Sequence, residues 1–343
     1  MNTIITAWET LSPLGWNAEE HSRNALEPAS DQGSGPRMVP GFEVRQALGV
    51  RGTRSMCRAT GLAVATTGRL LSRAALDVGA RRAYADEEIG IVLATSDNVQ
   101  ALSDFNRDSW IRSRPYDVDP AQAPVLLMNV HAGQCAIWHR LRGPNSTICG
   151  SHLGFLLALS QARRIQRRGH ARAVVCGAVE EYSASRAALA DARGGESRRP
   201  LGEGCVMFLL ELGDATSTTG PAHGEVLATE FGFAPREDAV QTVLAACLRR
   251  GLAKAGVGPA QVAAVAPSPA IGARGHAEES AIRNVFGGVP LLRGAGDALG
   301  DTHAVSGAFQ LIEALAGTGA AGVAGVTATD AEGRVGCVLI RVT

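Results

Sequence analysis

Residues 89–95 read IGIVLAT, a run without charge in which β-branched side chains recur. A strand apolar on successive residues has no face to give to water. It must be covered on both sides, as in a largely parallel sheet packed between helices. Further apolar runs that read as buried strands are ARAVVCGAV (171–179), CVMFLLEL (205–212) and VAAVAPS (262–268). Shorter strand signals lie at 4–8, 145–149, 224–233, 322–328 and 335–342. Between them the apolar period switches to the helical one at 55–76, 152–169, 239–256, 276–287 and about 303–316. The 152–169 segment ends in four arginines and Gly169, which suits a helix C-terminus. Residues 118–142 read as a Pro-bearing approach and a helix. Residues 182–203 and 213–221 read as polar loops. Strands alternating with helices predict a layered α/β fold in two halves, 1–220 and 221–343, with no repeat visible in the sequence.

The 343 residues carry 33 cationic and 33 acidic side chains, so the formal net charge is zero, which disfavours a generic nucleic-acid binder. Only one of the 33 cations is a lysine, Lys254, a bias that reads as genomic background. The apolar fraction of 45% is enough for a large core. The start, MNTIITAWETLSPLG, lacks a basic segment followed by a long apolar one, and no stretch is apolar enough to span a bilayer. Seven dispersed cysteines (57, 135, 149, 176, 205, 247, 337) form no metal-binding spacing. Reduced thiols in a cytoplasm are the expectation, with no metal.

One block narrows the reading. Residues 119–148, DPAQAPVLLMNVHAGQCAIWHRLRGPNSTI, hold a Pro-flanked helix, an Asn-x-x-Ala-Gly element (Asn129, Ala132, Gly133) and Leu-x-Gly-Pro (Leu141, Gly143, Pro144). Together with ITAWETLSPLGWNAEE at the start, GEGCVMFLLE (202–211), AEESAIRNVFG (277–287) and HAVSGAFQLIEAL (303–315), in this order, the chain resembles the β-ketoacyl synthases of the thiolase superfamily. The resemblance implies the thiolase fold, two βαβαβ-type halves in an α-β-α-β-α sandwich. It also implies a cysteine nucleophile at the start of a buried helix, where the helix N-terminus favours the thiolate. Two histidines on loops of the second half would polarise the thioester and stabilise an enolate oxygen.

None of the three stands in place here. A gap-free count from Gly143-Pro144 to Arg168-Gly169 puts His152 at the nucleophile position, followed by Leu153, Gly154 and Phe155. Pro267 takes the first histidine's place and Asp301 the second's. His303 falls two residues later, at a helix start with a packing role. The gating loop reads Thr329-Asp330-Ala331-Glu332-Gly333, without its phenylalanine. An alternative alignment of Thr147-Ile148-Cys149-Gly150-Ser151 makes Cys149 the nucleophile but leaves both histidines absent.

A ketosynthase-like chain without its triad resembles the chain length factor of type II polyketide synthases. Such a subunit pairs with an active ketosynthase and shapes the tunnel that sets product length. The family usually has glutamine where this chain has His152. The shortened loops at 182–203 and 316–334 resemble the divergent factors of highly reducing, polyene-forming systems. The resemblance places Asn145, Ser146, Thr147, Ile148 and Cys149 on a strand at the dimer axis. It places Met128, Asn129, His131, Gln134, Trp138 and Phe155 at the interface or tunnel. Met128, Trp138 and Phe155 are candidates to close the tunnel, with plain core packing as the bland reading. His131 and His139 read as surface or interface residues. Arg163, Arg164, Arg167 and Arg168 read as a solvated helix end, or more sharply as a docking patch for an acidic carrier. No cofactor is expected in the chain itself, and the partner would use a phosphopantetheine-bearing acyl carrier protein that docks mainly on that partner. Active condensation through Cys149 and a homodimeric acyl-binding protein are the alternatives.

Overall fold

The computed structural model describes residues 2–26, 35–76, 83–96, 98–192, 199–213, 220–317 and 322–343. In chain order the elements are β1 (Asn2–Leu11), α1 (Ala18–Asn24), α2 (Val44–Leu48), α3 (Arg58–Arg73), β2 (Ile89–Thr95), α4 (Val99–Ile111), α5 (Val130–His139), β3 (Asn145–Cys149), α6 (Gly154–Arg167), β4 (Ala173–Glu180), α7 (Ala184–Ala192) and β5 (Gly204–Gly213). Then come β6 (Gly224–Phe233), α8 (Val240–Ala255), β7 (Val262–Ala266), α9 (Gly272–Phe286), α10 (Gly296–Leu299), α11 (Ser306–Gly317), β8 (Val323–Thr329) and β9 (Arg334–Val342). Short 3₁₀ turns include 120–126 and 303–305.

The strands hydrogen-bond in the order β3-β2-β4-β5-β1-β6-β9-β8-β7. In the first half β3, β2 and β4 are parallel, β5 runs against them, and β1, antiparallel to β5, runs with them again. In the second half β7 and β8 are parallel, β9 and β6 antiparallel, and Leu291 makes a parallel bridge to Val265 outside β7. Numbered within its own half, each therefore has the order 3-2-4-5-1. The repeat lies in the topology alone. The halves meet where Thr3–Ile5 of β1 pair antiparallel with 224–226 of β6.

Three apolar cores divide the layers. Leu62, Val64 and Leu70 of α3 cover one face of the first half against Ile91 and Leu93 of β2. Leu244 and Leu248 of α8 and Ile282 of α9 cover the outer face of the second half. Between the halves, α6 and α11 are sandwiched, with Leu156 and Leu159 meeting Val174 and Phe208 on one side and Val326 and Ile340 on the other. The result is the α-β-α-β-α sandwich of the thiolase fold. β2, β4 and β8 are buried throughout, as their unbroken apolar sequences require.

Some expectations need correction. Residues 182–203 are not all loop, since Ala184–Ala192 form α7. Its alanines favour helix, and Ser183 caps its start by accepting from Arg186 N at 3.1 Å. Residues 193–198 and 214–219 lie outside the described residues. Residues 118–142 hold the expected Pro-bearing approach and helix, but Val125 and Leu126 lie in the 3₁₀ turn 120–126 and the helix, α5, starts only at Val130. Helix α4 had no forecast.

Candidate functional site

The two helices of the middle layer begin side by side. A Cβ on Gly154, the first residue of α6, would sit 3.0 Å from Ala304 Cβ, just before α11. Only glycine lets these starts approach so closely. His152 precedes α6 by two residues, while Asp301 and His303 precede α11, so side chains about 150 positions apart meet.

His152 Nε2 lies 2.9 Å from Asp301 Oδ1, and its Nδ1 lies 3.2 Å from Ser151 Oγ. An ionised carboxylate only accepts, so Nε2 carries the proton. Asp301 Oδ1 also accepts from His303 N at 3.0 Å. His303 has φ of 45°, a left-handed backbone uncommon for a non-glycine residue. Its ring lies 5.0 Å from that of His152, with Nε2 at 3.8 Å from Asp301 Oδ2. His303 is thus part of the cluster rather than a packing residue of the helix.

Burial opposes the charged form of His152, but Asp301 more than offsets it by charge and hydrogen bond and raises the pKa above the usual histidine value. Burial alone would raise Asp301; the two histidines instead hold it well below the carboxylate range. The pair is therefore an imidazolium–carboxylate contact in mildly acidic water.

Asp301 is fixed by its backbone. Its N–H donates to Pro200 O at 2.8 Å, and its carbonyl accepts from Gly202 N at 2.8 Å and from Arg186 Nη2 at 3.0 Å. A Cβ on Gly202 would lie 1.9 Å from Leu299 O, so this crossing requires glycine. The buried Arg186 of α7 also donates to the carbonyls of Glu181 and Gly202 at 2.9 and 2.8 Å. Sequence reading missed Arg186. Its one signal was a lone arginine inside an alanine-rich stretch.

Pro267 is buried after β7 and lines a cavity of about 150 Å³ that Gly300 and Thr302, on either side of Asp301, also line. Beside it the buried Glu278 receives Ser268 N at 2.9 Å, the Ser268 hydroxyl, and Thr327 Oγ1 at 2.5 Å. Proline offers no N–H and the Asp301 carboxylate no proton. Neither can donate to a developing oxyanion, and a carboxylate repels one.

His152, Asp301 and His303 bring three ligand-type atoms within 4.8 Å of one another. The positive ends of α6 and α11 face the same place, which suits the Asp301 carboxylate and opposes a cation.

No known family model matches the chain. A curated relative from Streptomyces virginiae, described as a putative polyketide beta-ketoacyl synthase 2, is 28% identical over 273 residues, 73% of this chain and 66% of the relative. The chain spans about half to two thirds of the length of the first curated relatives it matches. A solved structure described as the ishigamide ketosynthase/chain length factor is 34% identical, covers 100% of this chain and 99% of that one, and superposes with a TM-score of 0.89. This chain belongs to the thiolase superfamily, among the chain-length-factor-like proteins of type II polyketide synthases. A third likeness, at 15% identity and a TM-score of 0.81 over the whole chain, shows the fold alone; it is a type II acyl-carrier protein in complex with its ketosynthase.

Within this chain-length-factor-like chain the other candidates separate into two groups. Asn145, Ser146, Thr147, Ile148 and Cys149 form β3, which pairs with β2 on one side and leaves its other edge open among the described residues. Met128 and Asn129 are exposed just before α5, and Gln134 is half-buried on it. Leu127, Ile137, Trp110, Ile111 and Tyr116 are also exposed, Trp110 at 87%. Of the elements that carry them, α5 with Ile137 packs beside β3. Cys149 is exposed at the end of β3, its thiol donating to Ser96 O at 2.6 Å, and it precedes α6 by five residues.

The second group is more enclosed, and in it His131 departs from its reading as a surface residue, while Phe155 and Trp138 pack as the plain core reading expects. His131 is fully buried and bonds Thr60 Oγ1 at 2.9 Å, and burial pushes its pKa down to about 4. Phe155 is buried in the middle core, 5.3 Å from the ring of Phe208. Trp138 is half-buried and leans on the outer core of the first half, its ring 3.0 Å from where a Cβ on Gly52 would be. His139 is held to Val64 O at 2.9 Å. None of the helices described is long and apolar enough to cross a membrane.

Proposed function

We propose that the chain is a catalytically silent chain length factor, which pairs with an active ketosynthase and helps wall the tunnel that limits polyketide length. The observation that carries this reading is the His152–Asp301 pair, 2.9 Å apart, two residues that the gap-free count equates with the family's nucleophile and second histidine. The pair ties up both groups with each other. With Pro267 at the third position, the chain supplies no helix-start thiolate, and the site's two imidazoles, His152 and His303, both turn to Asp301.

The open edge of β3, with exposed Ile137 on the helix packed beside it, supports docking to a partner subunit. The similar solved structure, a ketosynthase/chain length factor, points the same way. Met128, at the rim, is the tunnel candidate that reaches the surface. The chain needs no cofactor of its own in this reading; the phosphopantetheine arm arrives with a carrier protein that docks mainly on the ketosynthase. The 34% identity to the ishigamide ketosynthase/chain length factor supports a place beside it, and the polyene-forming subclass rests on the shortened loops at 182–203 and 316–334. Cys149 lies on an exposed strand end rather than at a helix start, which counts against its use as a nucleophile.

Co-expression with a cysteine-bearing ketosynthase tests the reading. The expected result is a 1:1 complex that elongates malonyl units, with the chain alone forming no elongated product. Condensation by the isolated chain at an ordinary ketosynthase rate would sink it.

A further inference from the structure

Helix α6 begins at the silent site and ends in arginines. Arg163 is eleven residues beyond His152, about 16 Å along a helix rising 1.5 Å per residue. There Arg163 and Arg167 line a polar cavity of about 270 Å³ with Asn2, Glu225, Lys254 and Arg341, where the starts of β1 and β6 and the end of α8 come together. The cavity is distinct from the His152 cluster.

Its charges do not balance. Glu225 is taken by Arg341 at 2.6 Å, and the nearby Glu230 by Lys254 and by Arg250 at 2.9 Å. Arg163 and Arg167 form no ion pair among the described residues. Arg163 donates from Nη2 to Leu227 O at 3.0 Å, while its buried Nε finds no acceptor. Burial and the neighbouring Arg167 pull its pKa down to about 10, against the opposing charge of Glu225. Two neighbouring guanidiniums, one with an unmet donor, share only the field of a carboxylate that Arg341 already holds, which suits an added anion. The helix C-terminus contributes about half a negative charge, which the two guanidiniums outweigh.

We propose that this cavity binds a small phosphate-type oxyanion, free or as a monoester, between Arg163 and Arg167, with Lys254 and Arg341 at the rim. Guanidinium forks match the oxygens of phosphate two at a time. Donors arriving from several elements suit a tetrahedral group better than a planar carboxylate or a halide.

Calorimetric titration of the purified full chain, with any subunit that co-purifies, tests this at low ionic strength. The probes are inorganic phosphate and methyl phosphate, against chloride. Saturable one-site binding of phosphate is expected. Arg163→Met and Arg167→Gln should each weaken it by about tenfold or more, and Arg164→Gln, outside the cavity, should leave it unchanged. Arg167 is exposed, so its variant folds even if Arg163→Met does not. Binding of both probes supports an ester as the ligand; binding of inorganic phosphate alone supports the free ion. No saturable binding, or the same affinity in Arg167→Gln, overturns the proposal.

Discussion

The two halves repeat one strand order but finish their outer edges differently. In the first half the outermost strand is β3, five residues long, with its far edge open. In the second half the equivalent strand has shrunk to the single bridge of Leu291 to Val265. The connections differ too. Between β7 and Leu291 there is one helix, α9, whereas between β2 and β3 the chain inserts α4, a 3₁₀ turn and α5. Most of the exposed large apolar side chains lie on that insertion. One scaffold has thus been elaborated on one side and reduced on the other.

The largest effect should fall on association. Ile148→Arg combined with Ile137→Glu puts charge on the open edge and its rim. It should abolish co-elution with the ketosynthase in size-exclusion chromatography. Phe233→Arg and Ile271→Arg, at exposed apolar sites of the second half, should leave it intact. Equal loss from both pairs would erase the contrast between the halves.

Next is the support of Asp301. Arg186→Met removes a buried guanidinium and strands three carbonyl acceptors. It should lower the unfolding free energy by about 3 kcal/mol, read from a urea midpoint at constant slope. A change under about 0.5 kcal/mol would mean that α7 does not hold the site.

Asp301→Asn should cost about 1–2 kcal/mol, with a telling pH profile. The raised pKa of His152 gives stability that is complete below the ordinary histidine value and is lost as pH rises through the raised one. The lowered pKa of Asp301 gives stability present above the ordinary aspartate value and lost as pH falls through the depressed one. The gap between wild type and variant should therefore be widest at roughly pH 5–6 and narrow on both sides. A gap independent of pH would show that the pair is not ionised.

The smallest effect on stability belongs to Met128→Ala. The side chain is 40% exposed, so the fold should lose less than about 0.5 kcal/mol. Product length in the complex should shift, as seen by mass spectrometry. Unchanged length removes Met128 from the tunnel.

The buried strands were legible because burial on both faces demands an unbroken apolar sequence. The run 89–95 matches β2 residue for residue. Helix ends at Gly169 and Gly256 were legible because left-handed φ values of 71° and 65° favour glycine. Helix α4 was not, because none of its residues is buried and no core-facing apolar stripe marks it. The meeting of His152 with Asp301 followed from family positions. The turn of His303 into the same cluster depends on a left-handed backbone that histidine gives no local reason to adopt. Asn145 and Ile148 were assigned to the dimer axis by resemblance alone, while His131, read as a surface or interface residue, is buried. Helix and strand period reports which residues are apolar, not which of two buried faces they join.

If the chemistry belongs to the partner, acylation of the purified complex with a thioester substrate, followed by mass mapping, will show where the acyl group goes. Label is expected on the ketosynthase cysteine alone, with condensation unchanged in Cys149→Ala. Label on Cys149, lost together with activity in that variant, would contradict a silent chain.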